Sequence, residues 1–296
     1  MRIVFGGAPA TGAPGTLRIE VPCLGGAPFE ELFADAAPVP GGPGIDLYRS
    51  GGLLIGHVSA PFAAPDLAET AQTLYRQLLA ACGNRHLFRI WNYIPHINEF
   101  AAGLENYHAF CRGRSIAFES FLGGRFQALL PAASAVGTRG KNLEVIFVAG
   151  ENAPRHFENP EQIPAYRYPP EHGPRSPSFA RATAAREGTR TFTFISGTAA
   201  IKGHQTVAPS ALPAQLDCTL DNLRLISRVV GRGEHLGAEH AVQRHFKIYL
   251  RHAADLAATR TRLEASLLKP SDRVTYLHAE ICRAALDVEI EATLID

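Results

Sequence analysis

Two stretches of the chain share one pattern: residues 48–57 read YRSGGLLIGH, and residues 194–204 read FISGTAAIKGH. Each stretch contains Ser-Gly, then a short apolar run, then Gly-His. Short apolar runs bounded by glycine are typical of buried strands. An internal repeat of this kind determines the architecture of a whole chain.

The similarity continues in the same order on both sides. Residues 67–82 (LAETAQTLYRQLLAAC) and 212–230 (LPAQLDCTLDNLRLISRVV) carry apolar residues at helical spacing. A strand pattern follows each, at 88–94 and 246–250, and each half closes on another, at 143–149 and 286–294. The offset stays near 145 residues, the separation of Leu67 and Leu212. The sequence therefore predicts an α+β protein of two similar repeats, each a mixed sheet with helices on one face.

The composition limits the class of protein. The chain has 296 residues, 46% of them hydrophobic and 19% charged, with a net charge of +1. Such a balance argues against a dedicated nucleic-acid binder, and no apolar run approaches the roughly 20 residues of a membrane span. Glycine and proline interrupt the N-terminus (MRIVFGGAPATGAPG) too early for a signal peptide. Five cysteines without a CxxC pair favour reduced thiols in a cytoplasmic protein.

Residues 151–189 separate the two repeats and are rich in proline. A regular helix cannot pass through so many prolines, so one interpretation is a linker. The segment also carries Tyr166, Tyr168, Arg175 and Arg181, whereas linkers favour small and polar residues. The alternative is a structured loop that covers a site.

The last predicted strand alternates in period two. Leu286, Val288, Ile290, Ala292 and Leu294 form an apolar face, and the opposite face carries Asp287, Glu289, Glu291 and Thr293. The acidic face is either solvated or lines a cleft in which burial and repulsion raise a carboxyl pKa. Overlaying the repeats places Ile146 opposite Glu289 and Val148 opposite Glu291, so only the C-terminal half retains these carboxylates.

The motifs carry a family resemblance. The second half resembles the RidA/YjgF family of small trimeric α+β proteins, through FISG (194–197), Gln215 with TLDNL (219–223), and VEIEA (288–292). From about residue 45 to 296 the chain is similar to the chorismatases, a branch of that superfamily. The carrying stretches are RIWNYI (89–94) with Ile97-Asn98, Tyr107 and Phe110 with Gly113-Arg114, GPRSPSFAR (173–181), ISGTA (195–199) with Gly203-His204, and ICR (281–283) with VEIE (288–291).

The resemblance implies a reaction and its general acid. Chorismatases release the enolpyruvyl ether of chorismate as pyruvate without a metal or organic cofactor, after a carboxylic acid protonates the exocyclic methylene. Some members yield 3-hydroxybenzoate, with or without 4-hydroxybenzoate, and others hydrolyse chorismate to a dihydroxycyclohexadienoate. The resemblance points to Glu289 as the acid. Gly197 and Cys282 match the benzoate-forming members, and we expect Thr198 of the same Ser-Gly-Thr-Ala motif to contact the substrate.

Chorismate is a dicarboxylate, so cations have to meet it. We expect two or three of six arginines to bind it and the others to be surface residues; the six are Arg114, Arg175, Arg181, Arg251, Arg273 and Arg283. Three tyrosines are candidate hydrogen-bond donors to the ring hydroxyl: Tyr107, Tyr168 and Tyr249. The chain carries 25 Arg and only 4 Lys, which reflects either a GC-rich genome or a carboxylate-rich ligand.

The sequence thus predicts three parts: an N-terminal scaffold half (1–150), a proline-rich loop contributing to the site (151–189) and a C-terminal catalytic half (190–296). We expect an enzyme that acts on a small molecule, with no nucleic-acid or membrane partner. A RidA-like imine deaminase and a non-catalytic ligand-binding protein are the alternatives. The oligomeric state stays open between monomer and trimer.

Overall fold

The computed structural model describes residues 1–6, 15–31, 33–238 and 241–296. The strands are β1 Arg2–Phe5, β2 Thr16–Ile19, β3 Cys23–Gly26, β4 Phe29–Glu31, β5 Ala37–Val39, β6 Ile45–Ser50, β7 Leu53–Pro61, β8 His86–Pro95, β9 Phe100–Ala101, β10 Leu104–Glu105, β11 Ala132–Thr138, β12 Asn142–Gly150, β13 Arg155–Phe157, β14 Ala182–Glu187, β15 Arg190–Thr198, β16 Ile201–Lys202, β17 Gln205–Thr206, β18 Gln243–Leu250, β19 Arg273–His278 and β20 Val288–Ile295. The helices are α1 Leu67–Cys82, α2 Asn106–Leu122, α3 Leu212–Val229 and α4 Leu256–Glu264, with short 3-10 turns at Ala64–Asp66, Gly123–Leu129, Ala165–Arg167, Pro170–His172 and Ala253–Asp255.

The two halves have the same sheet topology. The first sheet has the order β11-β8-β12-β7-β6-β5, and the second has the order β13-β14-β15-β20-β18-β19-β3. Read from its other end and without β3, the second sheet repeats the first strand for strand. In each sheet one pair is parallel, β11 with β8 and β19 with β18, and the next, β12 with β8 and β20 with β18, is antiparallel. The predicted α+β fold of two repeats is confirmed.

The two sheets face each other, and the helices cover their outer faces. Trp91 of β8 meets Phe194 of β15 edge to face, with ring centroids 6.4 Å apart. Behind the first sheet, α1 and α2 enclose a separate apolar cluster, and α3 and α4 do the same behind the second. The apolar face of β20 belongs to the cluster of the second half. Its acidic face is therefore turned toward the first sheet.

The N-terminal strands close the inner face of the first sheet. Strands β2, β1 and β4 form a small sheet, next to which Met1 and Phe33 pack with Ile146 and Val148 around a residual space of only about 10 Å³. Strand β3 instead pairs with β19 at the edge of the second sheet. The residues predicted as the N-terminal half thus contribute one strand to the sheet of the C-terminal half.

Helices α1 and α2 approach each other closely at Gly113. A Cβ atom at this position would lie 1.9 Å from the carbonyl oxygen of Ala68 in α1. Glycine therefore allows the two backbones to touch. The contact fixes the height of α2 above the sheet, and α2 carries Tyr107 and Arg114. None of the α-helices in the described ranges is long and apolar enough to span a membrane.

We expect Gly113→Ala to lower the free energy of unfolding by roughly 1–3 kcal/mol, because the obstructing atoms belong to a backbone that cannot move aside cheaply. Urea unfolding followed by circular dichroism measures the effect. Gly124→Ala is the matched control, since a Cβ there meets open space. Equal stability of the two variants would contradict the close approach of α1 and α2.

Candidate active site

A cavity of about 500 Å³ opens where the two halves meet the proline-rich segment. Strand β11 and helix α2 of the first half line one side, and β15 and β20 of the second half line the other. Residues 168–181 and the turn at 282–285 complete the wall. Residues 168–181 thus lie as a structured loop over the cavity, whereas other parts of the segment 151–189 form strands β13 and β14 of the second sheet.

Glu289 of β20 is buried in this wall, with 3% of its surface exposed. Its Oε1 atom accepts no hydrogen bond from any described residue. Burial, reinforced by the negative charge of Glu291, raises the pKa of Glu289 to about 8, although Arg89 and Arg181 oppose the shift. A neutral carboxylic acid at physiological pH therefore faces the cavity, which is the form that a general acid needs.

Glu291 lies two residues further along the same face and has the opposite character. Its Oε1 accepts hydrogen bonds from the Trp91 indole and from Lys247, both at 2.8 Å. Its Oε2 accepts one from Arg89 at 2.7 Å and another from Ser134. Burial alone would raise its pKa, but Lys247 and Arg89 lower the pKa of Glu291 below its ordinary value. The two neighbouring carboxyl groups are thus divided into one acid and one carboxylate.

Two small residues contact the Glu289 carboxyl group. A Cβ atom on Gly197 would lie 2.0 Å from its Oε1 and 2.6 Å from its Cδ. The Cys282 thiol lies 4.0 Å from its Oε2, and burial raises the pKa of Cys282 to about 12. The thiol therefore remains protonated. Gly197 leaves the space that Glu289 occupies, and Cys282 is a weak donor beside it.

Three arginines line the cavity. Arg114 is 1% exposed, and in the described part of the chain no carboxylate forms an ion pair with it. It donates to the Cys111 sulfur at 3.7 Å and contacts the Tyr75 hydroxyl. Arg181 donates to the Tyr168 hydroxyl at 2.7 Å, and Arg283 donates to the His204 carbonyl at 2.8 Å. Arg181 also lies 3.9 Å from a Glu158 carboxylate oxygen, and Arg283 is only partly buried, so Arg114 is the buried guanidinium group best suited to bind a carboxylate ligand.

The cavity brings together most of the residues singled out from the sequence: Tyr107, Arg114, Tyr168, Arg181, Gly197, Cys282, Arg283 and Glu289. Tyr168 is central to the loop side. Its hydroxyl accepts from Arg181, and its ring lies 5.3 Å from the Arg283 guanidinium carbon and 5.1 Å from the His172 ring. These contacts hold the loop against the wall of the cavity.

Five other candidates lie outside the lining. Arg175 forms a surface ion pair with Glu119 at 2.8 Å, and Arg273 lies over the ring of Phe29 from the N-terminal sheet. The Thr198 hydroxyl donates to the Ser196 carbonyl, and Tyr249 is enclosed beside Glu289 on the neighbouring strand. Arg175, Arg273 and Thr198 are occupied by protein contacts, whereas the buried Tyr249 hydroxyl has no hydrogen-bond partner among the described residues.

Arg251 is the fifth candidate outside the cavity lining, and its contacts give it a structural role. It donates to the carbonyl oxygens of Leu286, Ile281 and Arg283 at 2.7, 3.3 and 2.9 Å. The guanidinium thereby holds the turn that presents Cys282 and Arg283 to the cavity. Because its donors are used by backbone carbonyl oxygens, Arg251 positions the cavity wall and does not contact the ligand space.

Sequence reasoning missed several lining residues. Glu105, Phe179 and His172 line the cavity, and so does Ser134, which bridges Arg89 and Glu291. The concentration of tyrosine and arginine in the proline-rich segment was a signal for its involvement, but it did not single out His172. Nothing in the period-two pattern of β11 distinguishes Ser134 from its neighbours.

Comparisons with known proteins identify the family of the chain. The family model described as "Chorismatase FkbO/Hyg5-like, N-terminal" matches residues 40–149. A protein named 3-hydroxybenzoate synthase from Streptomyces hygroscopicus is 36% identical over 228 residues, covering 74% of this chain and 66% of that protein. A protein named chorismatase from the same organism is 37% identical over 302 residues, covering 96% and 83%. A crystal structure of chorismatase superposes with a TM-score of 0.81 at 30% identity, covering 99% of this chain and 92% of that one.

The division between the two carboxyl groups can be tested without turnover. Infrared difference spectra between the wild type and Glu289→Gln, recorded as pH rises, should show the carboxylic acid band disappearing with a midpoint near pH 8. Glu291→Gln should move that midpoint to lower pH, because it removes the charge that disfavours ionisation of Glu289. A midpoint near the ordinary glutamate value in the wild type would contradict the assignment.

The same shift affects stability. From the ordinary value of 4.5 up to about 8, the folded protein keeps a proton on Glu289 that the unfolded chain releases. The contribution of this group to stability therefore decreases as pH rises through that window. Glu289→Gln should remove that part of the pH dependence of the unfolding free energy, measured by urea unfolding between pH 5 and 8, whereas Glu264→Gln on the exposed face of α4 should leave it unchanged.

Proposed function

The chain belongs to the chorismatase family, and we propose that it releases the enolpyruvyl group of chorismate as pyruvate, with Glu289 as the general acid. The observation that carries the proposal is the buried Glu289 carboxyl group, which has a free Oε1 and faces a cavity lined by three arginines. A cavity of about 500 Å³ suits a small organic dicarboxylate.

The arginines provide binding for the two carboxylates. Arg114, enclosed and without an anionic partner in the described ranges, gains the most from an incoming carboxylate. Arg181 and Arg283 lie on either side of Tyr168 and supply further positive charge on the loop side. Charge-assisted hydrogen bonds from guanidinium groups fix the position as well as the affinity of such ligands. Tyr107 and Tyr168 are the candidate donors to the ring hydroxyl.

The first step is a proton transfer from Glu289 to the exocyclic methylene carbon. The methylene becomes a methyl group, the ether carbon becomes an oxocarbenium ion, and Glu289 becomes a carboxylate that faces this cation. The new carboxylate stabilises the developing positive charge within a wall of low polarity. Glu291, held as a carboxylate by Lys247 and Arg89, adds negative potential to the same face of β20.

Two outcomes follow from the cation. Attack by water gives pyruvate and a dihydroxycyclohexadienoate, with one water consumed. Attack by the ring hydroxyl oxygen on the cationic ether carbon releases the hydroxyl proton and forms a cyclic ketal. The bond between that oxygen and the ring then breaks with loss of a ring proton, and release of pyruvate leaves 3-hydroxybenzoate without net consumption of water. Of the two protons released, one protonates the phenolate and the other returns to the Glu289 carboxylate, so that each turnover restores the acid.

We propose 3-hydroxybenzoate as the main product, with 4-hydroxybenzoate as a minor one. Gly197 and Cys282, which adjoin the Glu289 carboxyl group, are the support, together with the relative named 3-hydroxybenzoate synthase. The absence of a side chain at Gly197 affects the acid directly, because a methyl group at this position would collide with the Glu289 carboxyl group and displace it. Cys282 offers a protonated and weakly polar surface that holds few waters near the cation.

We also place the reaction in the cytoplasm. The five cysteines are unpaired, which fits a reducing compartment. Chorismate is the only partner that this proposal requires.

Glu289→Gln should reduce the turnover of chorismate by about 10²–10⁴-fold, because the amide keeps the shape of the side chain and loses the acidic proton. Pyruvate release in a coupled assay measures the rate, and calorimetry measures substrate binding, which should largely persist. Glu264→Gln serves as the control for an acidic residue away from the cavity. Turnover by Glu289→Gln within a few-fold of the wild type would refute the role of the acid.

Gly197→Ala should slow turnover and raise the share of dihydroxycyclohexadienoate, because the displaced carboxyl group no longer holds the cation against the internal oxygen. Product chromatography in ¹⁸O-water distinguishes the routes, since water attack at the ether carbon places label in pyruvate before exchange of its carbonyl oxygen. Gly124→Ala controls for the substitution itself. Dihydroxycyclohexadienoate as the sole wild-type product would replace the benzoate proposal with the hydrolytic one.

A further inference from the structure

Three side chains meet on the loop side of the cavity, away from the two carboxyl groups of β20. His172 Nε2 lies 3.0 Å from His204 Nδ1, and Glu171 Oε1 lies 3.3 Å from the same His204 nitrogen. The third separation, between His172 Nε2 and Glu171 Oε1, is 3.8 Å. Each residue thus offers one ligand atom to a common centre.

These separations have the size of the edges of a tetrahedral metal site. Zinc binds histidine nitrogen and carboxylate oxygen at about 2.0–2.1 Å, which places neighbouring ligand atoms roughly 3.3–3.4 Å apart. The three observed distances bracket that value. A hydrogen bond between two imidazole rings accounts for one short contact, but it does not explain why a carboxylate oxygen completes the triangle.

The backbone holds the ligands in place. Glu171 and His172 lie in the 3-10 turn Pro170–His172, which ends at Gly173 with φ of 106°. His204 lies in the turn between β16 and β17, next to Gly203 with φ of 56°. Arg283 donates to the His204 carbonyl, and the Tyr168 ring contacts both histidine rings, with centroids 5.1 and 6.4 Å away.

The chemistry of the three groups suits a metal ion. Histidine binds a metal ion through a ring nitrogen that carries no proton, and glutamate binds it through a carboxylate oxygen. The Glu171 carboxylate, which is largely exposed, offsets part of the charge of a bound cation.

We propose that Glu171, His172 and His204 form a binding site for a zinc-like divalent transition-metal ion at the wall of the cavity. The fourth position of the tetrahedron is left for water or an anionic ligand. Because Glu171 and His172 line the cavity, a bound ion lies beside the space that a substrate occupies. The reaction proposed above has no step that uses this ion, so the site is an additional one and does not depend on that function.

The test is a titration of the full chain, without an affinity tag and stripped with a chelator, with Zn²⁺ by calorimetry and with Co²⁺ by absorption spectroscopy. We expect one ion per chain and the intense visible bands of tetrahedral cobalt. His204→Gln and His172→Ala should each weaken binding by more than about tenfold, since even loss of a group that supports a ligand costs about 10–100-fold. His252→Ala, at an exposed position elsewhere, should bind like the wild type.

Absence of stoichiometric binding in the wild type would overturn the proposal. So would unchanged affinity in both histidine variants, because the ion would then occupy other groups. If either histidine variant misfolds, Glu171→Gln replaces it, since this exposed side chain can be changed without disturbing the core. Failure of this test leaves the proton transfer by Glu289 untouched, because the readouts involve no turnover.

Discussion

The carboxylate of Glu291, enclosed between Lys247 on the neighbouring strand and Arg89 on the opposite sheet, is the interaction on which the site depends. It links the two halves through charged hydrogen bonds in a region with almost no access to water. Removing one partner from such a group is costly, because an unpaired charge remains buried. Lys247 also binds Glu30 of the N-terminal sheet at 2.5 Å, so three separate parts of the chain meet in one network.

This network explains why two carboxyl groups two residues apart behave differently. The cations that surround Glu291 are paired with it and with Glu30. Glu289 has a neighbouring negative charge and, among the described residues, no hydrogen-bond donor beyond the Cys282 thiol. Ionising Glu289 would add a further anion to a closed space. The protonated state of the acid is therefore a consequence of its own burial first and of the negative charge on its neighbour second.

Among the described residues, the first half has almost no space at the position that corresponds to the cavity beside Glu289. Ile146 and Val148 occupy the positions that correspond to Glu289 and Glu291, and the N-terminal sheet packs next to them so closely that little space is left. Much of this could be read from the sequence: the helix at Leu67–Cys82, the start of the second at Leu212, the strand alternation of β20 and the loss of both carboxylates in the first half. Repetition and period are local properties, and local properties are visible in one sequence.

Other features were not visible for equally physical reasons. The period of β20 is the same whether its acidic face meets water or another sheet, so the pattern alone could not decide that Glu289 is buried. Arg273 and Arg251 carry the same guanidinium group as Arg114, yet the first lies over Phe29 and the second binds three backbone carbonyls. Arg283 precedes the start of β20 and reaches the cavity from a turn. Which arginine is free for a ligand depends on contacts made by distant segments.

The pairing of β3 with β19 has a consequence for how the chain reaches this structure. Gly26 and Gly25 lie opposite Thr275 and Tyr276, so the contact joins two segments that are far apart in the sequence. Contacts of such long sequence separation form slowly, because a large loop has to be closed first. Until β3 pairs with it, β19 presents an uncovered edge to which strands of other molecules can bind. The yield of folded protein should therefore depend on how quickly β3 finds β19, and slow expression at low temperature should favour folding over aggregation.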